Sequence, residues 1–333
     1  MKRRDFISQT LAGGALASGS RGVGPHEAGA GREVGFTPRG QLVIEHAAPG
    51  KPHAGKVLAA IQPHVDDVPL FAGGTVAKLI KEGYTGHLIR ITNDEMAGAG
   101  TTGEAVLHNE RDNDAVAKAL RLEKVFNLEY RNHRLDSAPL QDLRGRLIFL
   151  FRLLKVDTVL CYDPWGLYEE NPDHYVTAKM VEAACWMAGM DKDYPEHFAA
   201  GLQPHSVSEK YYFARGPQMV NRVVDISATV DQKVEANLAN VTQGPAGENG
   251  ARLRARLAAQ KKRLPGLGND DATANRQYIK EIVLDVDSEH LRGVPSDREL
   301  GRRYGLEWAE AFHYIGPTAS KLEEYISQHA VSL

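Results

Sequence analysis

The sequence predicts an α/β fold: a Rossmann-like, doubly wound, mainly parallel sheet with helices on both faces and a helical C-terminal part. Two observations support this prediction. From Lys56 onward, short apolar runs typical of buried strands alternate with segments of helical spacing. Beyond Asp231 the strand-like runs cease and helical spacing continues alone. A chain of 333 residues with 42% hydrophobic residues is long enough to bury such a sheet.

Each predicted strand is a short apolar run bounded by turn-forming residues or by a helical segment. The run from Val57 to Ile61, which stops before Pro63, is typical of a buried parallel strand. The predicted strands span residues 57–61, 86–92, 124–130, 157–162, 210–214 and 222–226.

The predicted helices place apolar residues three and four positions apart. In the first of them Val76, Leu79 and Ile80 share one face, and Gly83 ends the helix. The predicted helices span residues 71–82, 104–122, 140–154, 176–187, 232–242, 251–264, 274–282 and 296–312. We therefore expect an α/β domain over residues 56–231 and a mainly helical part over 232–333 that packs on it.

The N-terminus has the features of an export signal. Lys2-Arg3-Arg4-Asp5-Phe6-Ile7 has the twin-arginine pattern, an apolar run from Leu11 to Ala17 follows, and Ala15-Leu16-Ala17 suits signal cleavage. We expect a signal peptide over residues 1–17, a leader and linker over 18–55, and a bacterial protein in the periplasm or secreted. A basic cytosolic tail is the alternative.

Composition limits the partners of the chain. A net charge of -3 and a pI near 6.5 argue against a nucleic-acid partner. The sequence contains no run of about 18 apolar residues, so it predicts no transmembrane helix. Cys161 and Cys185, both in apolar patterns, are predicted as buried thiols rather than a disulfide, and without a CxxC pair a cysteine zinc site is excluded.

Polar residues follow three of the predicted strands. His64-Val65-Asp66-Asp67 follows the first and Asn93-Asp94-Glu95 the second, while Tyr162-Asp163-Pro164-Trp165 follows the fourth and leads to Asn171-Pro172-Asp173-His174. Because the carboxyl ends of parallel strands meet at one edge of a sheet, we expect these segments to converge. Asp94 and Glu95 are then candidates for substrate binding.

Two of these segments have the residue types of a catalytic zinc site, which uses three His, Asp or Glu ligands and leaves a position for water. His64 and Asp67 lie three residues apart in a turn and can bind one ion, and His174 can complete the set. Asp66 then points elsewhere and is free to accept a proton from the bound water, whose pKa the ion lowers to about 7.

Each residue also has an ordinary structural explanation. A lone histidine is more often a hydrogen-bonded structural residue than a ligand, and Asp66 or Asp67 could cap the helix near Phe71. Two His/Asp clusters after predicted strands favour a metal, but spacing alone leaves both interpretations open.

The same segments carry a resemblance to a known family. Ala60–Asp67 with Phe71–Thr75 resembles the opening motif of the LmbE-like or PIG-L-type zinc-dependent N-deacetylases, and Tyr162–Pro164 with Pro172–His174 resembles their second motif. The resemblance spans residues 56–316. Further similar positions within it are Val224–Ser227, Asp231, Lys233, Ala236 and Glu310–Phe312.

The resemblance implies a function. It implies one Zn²⁺ per chain on His64, Asp67 and His174, with Asp66 as general base. Members of the family remove the acetyl group from N-acetylglucosamine units, so the implied partner is a small molecule or glycoconjugate that bears an N-acetylamino sugar. The resemblance also implies three supporting residues: Asp173 tuning the neighbouring catalytic histidine, Tyr168 at the oxyanion and Arg111 facing the substrate.

The chain departs from the family at several positions. Val65 replaces a proline and Val68 a glutamate. Asn171 occupies the position of a histidine that acts as general acid or electrostatic partner, and Asn240 that of another histidine. An asparagine cannot supply a proton, but its amide can donate a hydrogen bond to an oxyanion. Either Asp66 carries both proton transfers, or Glu170 or another group is the acid, or hydrolysis is lost.

Two rival functions follow from these features. The first is a metal-containing, non-catalytic carbohydrate-binding relative, in which Asn171 has replaced the catalytic histidine. The second is a nucleotide-dependent oxidoreductase that uses Gly98–Gly103, which fits G-x-G-x-x-G and has Glu123 about 20 residues further on. Asp94 and Glu95 would repel a pyrophosphate there, so an active-site loop is the favoured interpretation.

Overall fold

The computed structural model describes residues 42–317 and 320–332. The predicted signal peptide, its cleavage site and residues 18–41 of the predicted leader lie outside the described residues. Within them, none of the helices combines the length and the hydrophobicity needed to cross a lipid bilayer.

Eight strands of the described chain form one mixed, mostly parallel sheet in the order β1-β7-β8-β6-β5-β2-β3-β4. Neighbours pair in parallel except at β8, which is antiparallel to both β6 and β7. The strands are β1 Val43–Glu45, β2 Val57–Gln62, β3 Thr85–Thr92, β4 Lys124–Tyr130, β5 Thr158–Tyr162, β6 Glu209–Phe213, β7 Arg222–Asp225 and β8 Ala309–Ile315. The predicted Rossmann-like α/β class is confirmed.

The helices between the strands cover this sheet. Helix α4 packs on α5, and α7 packs on both α2 and α3. A π-helical turn, Tyr278–Val286, continues α9. The α-helices are α1 Asp67–Phe71, α2 Gly73–Lys81, α3 Thr102–Ala119, α4 Leu140–Leu154, α5 Pro172–Met187, α6 Pro195–Ala199, α7 Val230–Ala239, α8 Asn249–Ala259, α9 Asp271–Gln277, α10 Ser288–Arg292, α11 Asp297–Arg303 and α12 Leu322–His329.

The core lies on both faces of the central strands. Leu58, Ile61, Leu88 and Ile89 of β2 and β3 are completely buried, as expected for parallel strands covered by helices on two sides. Cys161 and Cys185 are buried free thiols, as predicted.

The predicted helix over residues 296–312 is wrong in its second half. Helix α11 ends at Arg303, Gly305 adopts a left-handed φ of 75°, and the chain enters β8. Alanine and glutamate in β8 favour a helix locally, but insertion between β6 and β7 overrides that preference. The statement that strands cease beyond Asp231 is therefore wrong as well.

Glu310 of β8 explains why this strand is held in place. Its carboxylate accepts hydrogen bonds from the backbone N–H groups of Gly74 and Thr75 at the start of α2, at 2.9 and 2.8 Å. The buried Lys233 ammonium of α7 lies 2.7 Å from Glu310 and 2.7 Å from Asp297. The N-terminus of α2 and the Lys233 ammonium both stabilise the Glu310 carboxylate, and these contacts join β8 to α2 and α7.

Strand β1 lies within the predicted leader and linker. Its three residues pair in parallel with β7, from Val43 with Arg222 to Glu45 with Val224. So short a run has no periodicity that a sequence pattern could detect.

Candidate metal centre

The first part of the site is the turn between β2 and α1. The backbone N–H of His64 donates to Asp67 Oδ2 at 2.8 Å, so the aspartate side chain folds back onto the end of β2. Asp67 is the first residue of α1 and is buried, and the hydroxyl of Tyr162 donates to its Oδ1 at 2.7 Å. The ring of His64 and the carboxylate of Asp67 therefore face the same point.

The second part is the start of helix α5. Asn171 is its N-cap, with Oδ1 accepting from the N–H of Asp173 at 2.9 Å, and Pro172 occupies the first helical position. This helix start orients His174 toward the turn between β2 and α1. The ring of Tyr162 stacks on the His174 ring, with centroids 4.3 Å apart.

Three donor groups meet between these parts. His64 Nδ1 lies 3.0 Å from His174 Nε2, while Asp67 Oδ2 and Oδ1 lie 3.5 Å from those two nitrogens respectively. One ligand atom from each of the three residues lies within 4.8 Å of the others, and all three residues are buried. The structure thus brings together the predicted ligands His64, Asp67 and His174.

The outer ring nitrogens have carboxylate partners. His64 Nε2 lies 3.0 Å from Asp173 Oδ2, and His174 Nδ1 lies 3.1 Å from Glu169 Oε2. If these nitrogens carry the ring protons, the lone pairs of His64 Nδ1 and His174 Nε2 point at each other across 3.0 Å. Only a shared proton or a cation makes that contact favourable, so the donor set fits a metal ion such as zinc.

The charges around His64 favour a cation as well. Burial lowers the pKa of His64, but hydrogen bonds to Asp173 and Asp67 outweigh it and raise that pKa well above its ordinary value. The histidine that Asp173 contacts is His64, whereas the resemblance implied only that it tunes a neighbouring catalytic histidine. Its carboxylate is held by the N–H groups of His133 and Leu135 at 2.6 and 3.2 Å.

The adjacent carboxylates Asp66 and Asp67 differ in their electrostatics. Burial and the charge of Asp67 raise the pKa of Asp66 to about 7. Burial would also raise the pKa of Asp67, but His174 and His64 lower it to about 2. Asp67 thus remains a charged ligand, whereas Asp66 can take up and release a proton near neutral pH.

A cavity of about 200 Å³ opens over this cluster. Gly244, with a left-handed φ of 77°, approaches so closely that a Cβ there would lie 2.6 Å from Asp66 Oδ2. The cavity is lined by His64, Asp66, Asp67, Leu70, Phe71, Ala97, Asn132, His133, Asn171, His174, Arg215, Gln243, Pro245, Leu291 and Arg292.

Five predicted site residues do not line this cavity: Asp173, which contacts His64 from outside it, and four others. Arg111 lies on the exposed face of α3, and Tyr168 is 88% exposed in the loop before α5. Asp94 is buried 3.5 Å from Arg90, and burial raises its pKa to about 6. Glu95 is buried in an ion pair with Arg131 at 2.7 Å.

The structure adds cavity residues that the sequence interpretation missed. Asn132 and His133 follow β4, Arg215 follows β6, and Gln243 lies in the loop after α7. The rule that function gathers beyond the carboxyl ends of strands would have indicated the first three, because β4 and β6 are parallel to the strands that carry the ligands.

The glycine-rich segment is not built as a nucleotide loop. The side chain of Thr101 accepts a hydrogen bond from the N–H of Glu104, and the Glu104 carboxylate accepts one from the N–H of Thr101. The N–H groups at the start of α3 are therefore bound in a capping box. Glu123 precedes β4 and therefore lies at the opposite edge of the sheet from Gly98.

The Rossmann-like sheet thus places a His-Asp-His cluster that could hold a metal ion at the carboxyl ends of its strands, which is the donor set of catalytic zinc sites. Residues 59–185 match the model of the PIG-L family, described as GlcNAc-PI de-N-acetylase. Over these residues the match agrees with the LmbE-like, PIG-L-type domain that the sequence motifs indicated, and it supports an enzyme of the N-deacetylase class of hydrolases.

Two proteins with similar sequences are named as deacetylases. The chain is 28% identical to diacetylchitobiose deacetylase of Thermococcus kodakarensis over 57% of its length and 71% of that protein. It is 26% identical to 1D-myo-inositol 2-acetamido-2-deoxy-alpha-D-glucopyranoside deacetylase of Mycolicibacterium smegmatis over 66% of its length and 89% of that protein.

Solved structures share the fold. N,N'-diacetylchitobiose deacetylase from Pyrococcus horikoshii superposes with a TM-score of 0.58 at 21% identity, over 78% of this chain and 84% of that one. The 4-carboxy-2-hydroxymuconate hydratase GalB of Pseudomonas putida gives 0.53 at 16% identity, over 80% and 98%. A deacetylase and a hydratase thus have this fold in common, so the chemistry must be argued from the site.

Proposed function

We propose that this enzyme removes the N-acetyl group from an N-acetylglucosamine-type amino sugar or its conjugate, with one Zn²⁺ held by His64, Asp67 and His174. The observation that carries the proposal is the meeting of these three donors beside Asp66, whose carboxylate lines the same cavity. The named substrates of the family and of both sequence relatives contain an acetamido sugar, which supports this substrate class.

A zinc ion in this site would act as a Lewis acid and activate a water molecule. Asp173 and Glu169, which lie 3.0 and 3.1 Å from the outer ring nitrogens, would orient the two imidazole rings so that His64 Nδ1 and His174 Nε2 face the ion. Tyr162 fixes the third ligand through its 2.7 Å hydrogen bond to Asp67.

Asp66 is the proposed general base. Its carboxylate lines the cavity without being needed as a ligand, and the charge of Asp67 beside it strengthens its affinity for a proton. It accepts the proton of the attacking water and passes it to the leaving nitrogen, so a single carboxylate serves both transfers. This assignment requires no acid at position 171.

Asn171 is proposed to stabilise negative charge on the acetamide oxygen. Its Oδ1 is used in capping α5, which turns its Nδ2 toward the ligands, 3.4 Å from His174 Nε2. An amide donor in this position can bind the oxyanion without titrating.

Acetate release over a panel of acetamido sugars, with acetylated amino acids as matched non-sugar amides, tests the proposal. We expect turnover of at least one acetamido sugar, loss of turnover after chelation and its recovery with Zn²⁺. If the protein binds zinc and acetamido sugars but releases no acetate from any of them, the carbohydrate-binding alternative replaces the hydrolase.

We also propose that the enzyme works outside the cytoplasm of a bacterium, on the basis of Arg3 and Arg4 in the twin-arginine pattern. Substituting both by lysine should retain the protein in the cytoplasm, as measured by cell fractionation against a cytoplasmic marker. Unchanged export would remove this proposal and leave the hydrolase untouched.

A further inference from the structure

The loop that follows helix α7, over residues 241–247, lies against the proposed general base. Gln243 and Pro245 of this loop line the catalytic cavity. Gly244 between them has a left-handed φ of 77°, and a Cβ there would lie 2.6 Å from Oδ2 and 3.2 Å from Cβ of Asp66. The backbone of the loop therefore closes on the Asp66 carboxylate, at a position where only glycine leaves room.

The direction of the Asp66 side chain depends on contacts of this kind. Asp66 is the N-cap of α1, but its side chain makes no capping hydrogen bond to the helix. By contrast, Oδ2 of Asp67 accepts a hydrogen bond from the N–H of His64, which fixes that carboxylate within the turn. The close approach of Gly244 restricts where the Asp66 carboxylate can lie.

A buried carboxylate on α3 holds the loop in place. Oδ2 of Asp112 accepts hydrogen bonds from the backbone N–H groups of Val241 and Thr242, at 2.8 and 2.7 Å. Asp112 is 6% exposed and does not line the cavity. Its effect on Asp66 by contact therefore passes through the loop.

Two further contacts tie the same loop to its surroundings. The side-chain amide of Gln243 donates to Oδ1 of Asn109 at 2.9 Å, and Asn109, which also lies on α3, is completely buried. The backbone N–H of Gly247 donates to the carbonyl oxygen of Asn237 in α7 at 3.1 Å. Because the loop is held on both sides of Gly244, this glycine cannot move away from the base while these contacts persist.

We propose that Asp112 is a positioning residue, which acts through residues 241–247 to hold the Asp66 carboxylate in the direction needed for proton transfer. A general base must lie within hydrogen-bond reach of the proton that it accepts, and a displacement of about 1 Å can slow a reaction by about 10²-fold. The two hydrogen bonds of Asp112 oppose such a displacement on the side where Gly244 lies. This inference rests on the proposed function, since it takes Asp66 as the general base.

The variant Asp112→Ala tests the anchor of the loop. It removes both hydrogen bonds, so kcat for the best acetamido sugar should fall by about 10- to 100-fold while the zinc content stays unchanged. Asp112→Asn should restore most of this loss, because both N–H groups bind one oxygen atom and a carboxamide retains one. Asp114→Ala changes an exposed side chain on the same helix and is the matched control, which should leave kcat unchanged.

The variant Gly244→Ala tests the contact with Asp66 and leaves the anchor intact. The added methyl group would overlap the carboxylate, so kcat should fall by about tenfold or more. Gly305→Ala is its matched control, because Gly305 has a similar φ of 75° and nothing lies within 4 Å of an added Cβ. This control introduces the same backbone strain and should leave kcat unchanged.

A double-mutant cycle with Asp66→Asn separates positioning from a loss of folded protein. If Asp112 acts through Asp66, then Asp112→Ala should lower the residual kcat of Asp66→Asn by less than about twofold. A purely structural role would lower kcat by the same factor in both backgrounds. Equal losses in the two backgrounds overturn the inference and leave the deacetylase standing.

Crystal structures of the zinc-loaded variants test the inference without turnover. The Asp66 carboxylate should leave its wild-type position in Asp112→Ala and keep it in Asp112→Asn. If the wild type releases no acetate, the deacetylase is overturned, while a displaced carboxylate in Asp112→Ala still supports the positioning role. An unmoved carboxylate in that variant overturns the positioning role whatever the activity.

Discussion

Two sets of residues meet at one edge of the sheet, and they differ in how the chain supplies them. The ligand loops, residues 64–67 and 171–174, are short segments in which neighbouring residues act together. The cavity wall, made of residues 132–133, 215, 243, 245 and 291–292, comes from four separate places in the chain. The candidate metal ligands therefore come from two local motifs, whereas the cavity wall is assembled over long range.

The two sets also differ in their charged side chains: the loops contribute histidines and aspartates, and the wall contributes the arginines Arg215 and Arg292. The three candidate ligands in the loops are buried, and their histidines lie beside the carboxylates of Asp173 and Glu169. In the wall, Arg292 is bonded to Leu70, Ser288 and Asp297, and Arg215 lies 3.4 Å from Glu169. We expect changes in the loops to affect metal and turnover, and changes in the wall to affect substrate choice.

Removing a ligand should have the largest effect. In His174→Ala the site keeps two donors and loses the ring that lies 3.5 Å from Asp67 Oδ1, so zinc affinity should fall and activity should drop by about 10³-fold or more. Metal analysis and acetate release measure the two effects together. Full zinc occupancy in this variant would contradict the ligand assignment.

Asp66→Asn should lower kcat by about 10²–10⁴-fold, because it removes the group that moves the proton. Since Asp66 is not a ligand, the zinc content should stay at the wild-type level, which distinguishes this loss from that in His174→Ala. A variant that loses metal and activity in parallel would make Asp66 a ligand instead.

The pH–rate profile adds a second readout for Asp66. A general base works when deprotonated, so kcat/KM should fall as pH drops through its pKa. Without a cation that pKa is about 7, and a bound divalent ion should move it lower, because a nearby positive charge favours the carboxylate. The acidic limb of the wild-type profile should therefore lie below pH 7 and be absent in Asp66→Asn.

Asn171→His should alter both stability and the pH profile. Asn171 caps α5 through Asp173, so its loss should cost about 1 kcal/mol of unfolding free energy, and the imidazole introduces a group that titrates near 6.5. Denaturant unfolding and the kcat profile measure these effects. Asn171→Ser, which retains a capping oxygen, is the control for stability. An unchanged profile would show that position 171 takes no part in proton transfer.

Arg111→Ala should have the smallest effect. Its side chain lies on the exposed face of α3 and does not line the cavity, so kcat/KM should change by less than about twofold. A larger loss, in KM above all, would show that the wall extends over α3 when substrate binds and would restore the role that the sequence suggested.

Local patterns predicted much of this structure for physical reasons that can be named. Strand β4 and helix α4 lie where their apolar periodicity placed them, at Lys124–Tyr130 and Leu140–Leu154. Strand β8 was predicted as a helix, because Ala309 and Glu310 favour one until the sheet offers a place between two strands. Three residues of β1 are too few to form a pattern at all.

The sequence by itself determined the fold class, because apolar periodicity is local, and it indicated His64, Asp67, His174 and Asp66 as candidates, because each lies in a short motif after a predicted strand. Their spacing left the metal open, and the family resemblance supplied the roles. Only the tertiary structure decided that Asp173 orients His64, that Asp66 and Asp67 differ in pKa, and that Asn132 and His133 line the cavity while Arg111 does not. These features depend on burial and on contacts between residues more than 35 positions apart. A sequence pattern of a few residues contains no information about such distances.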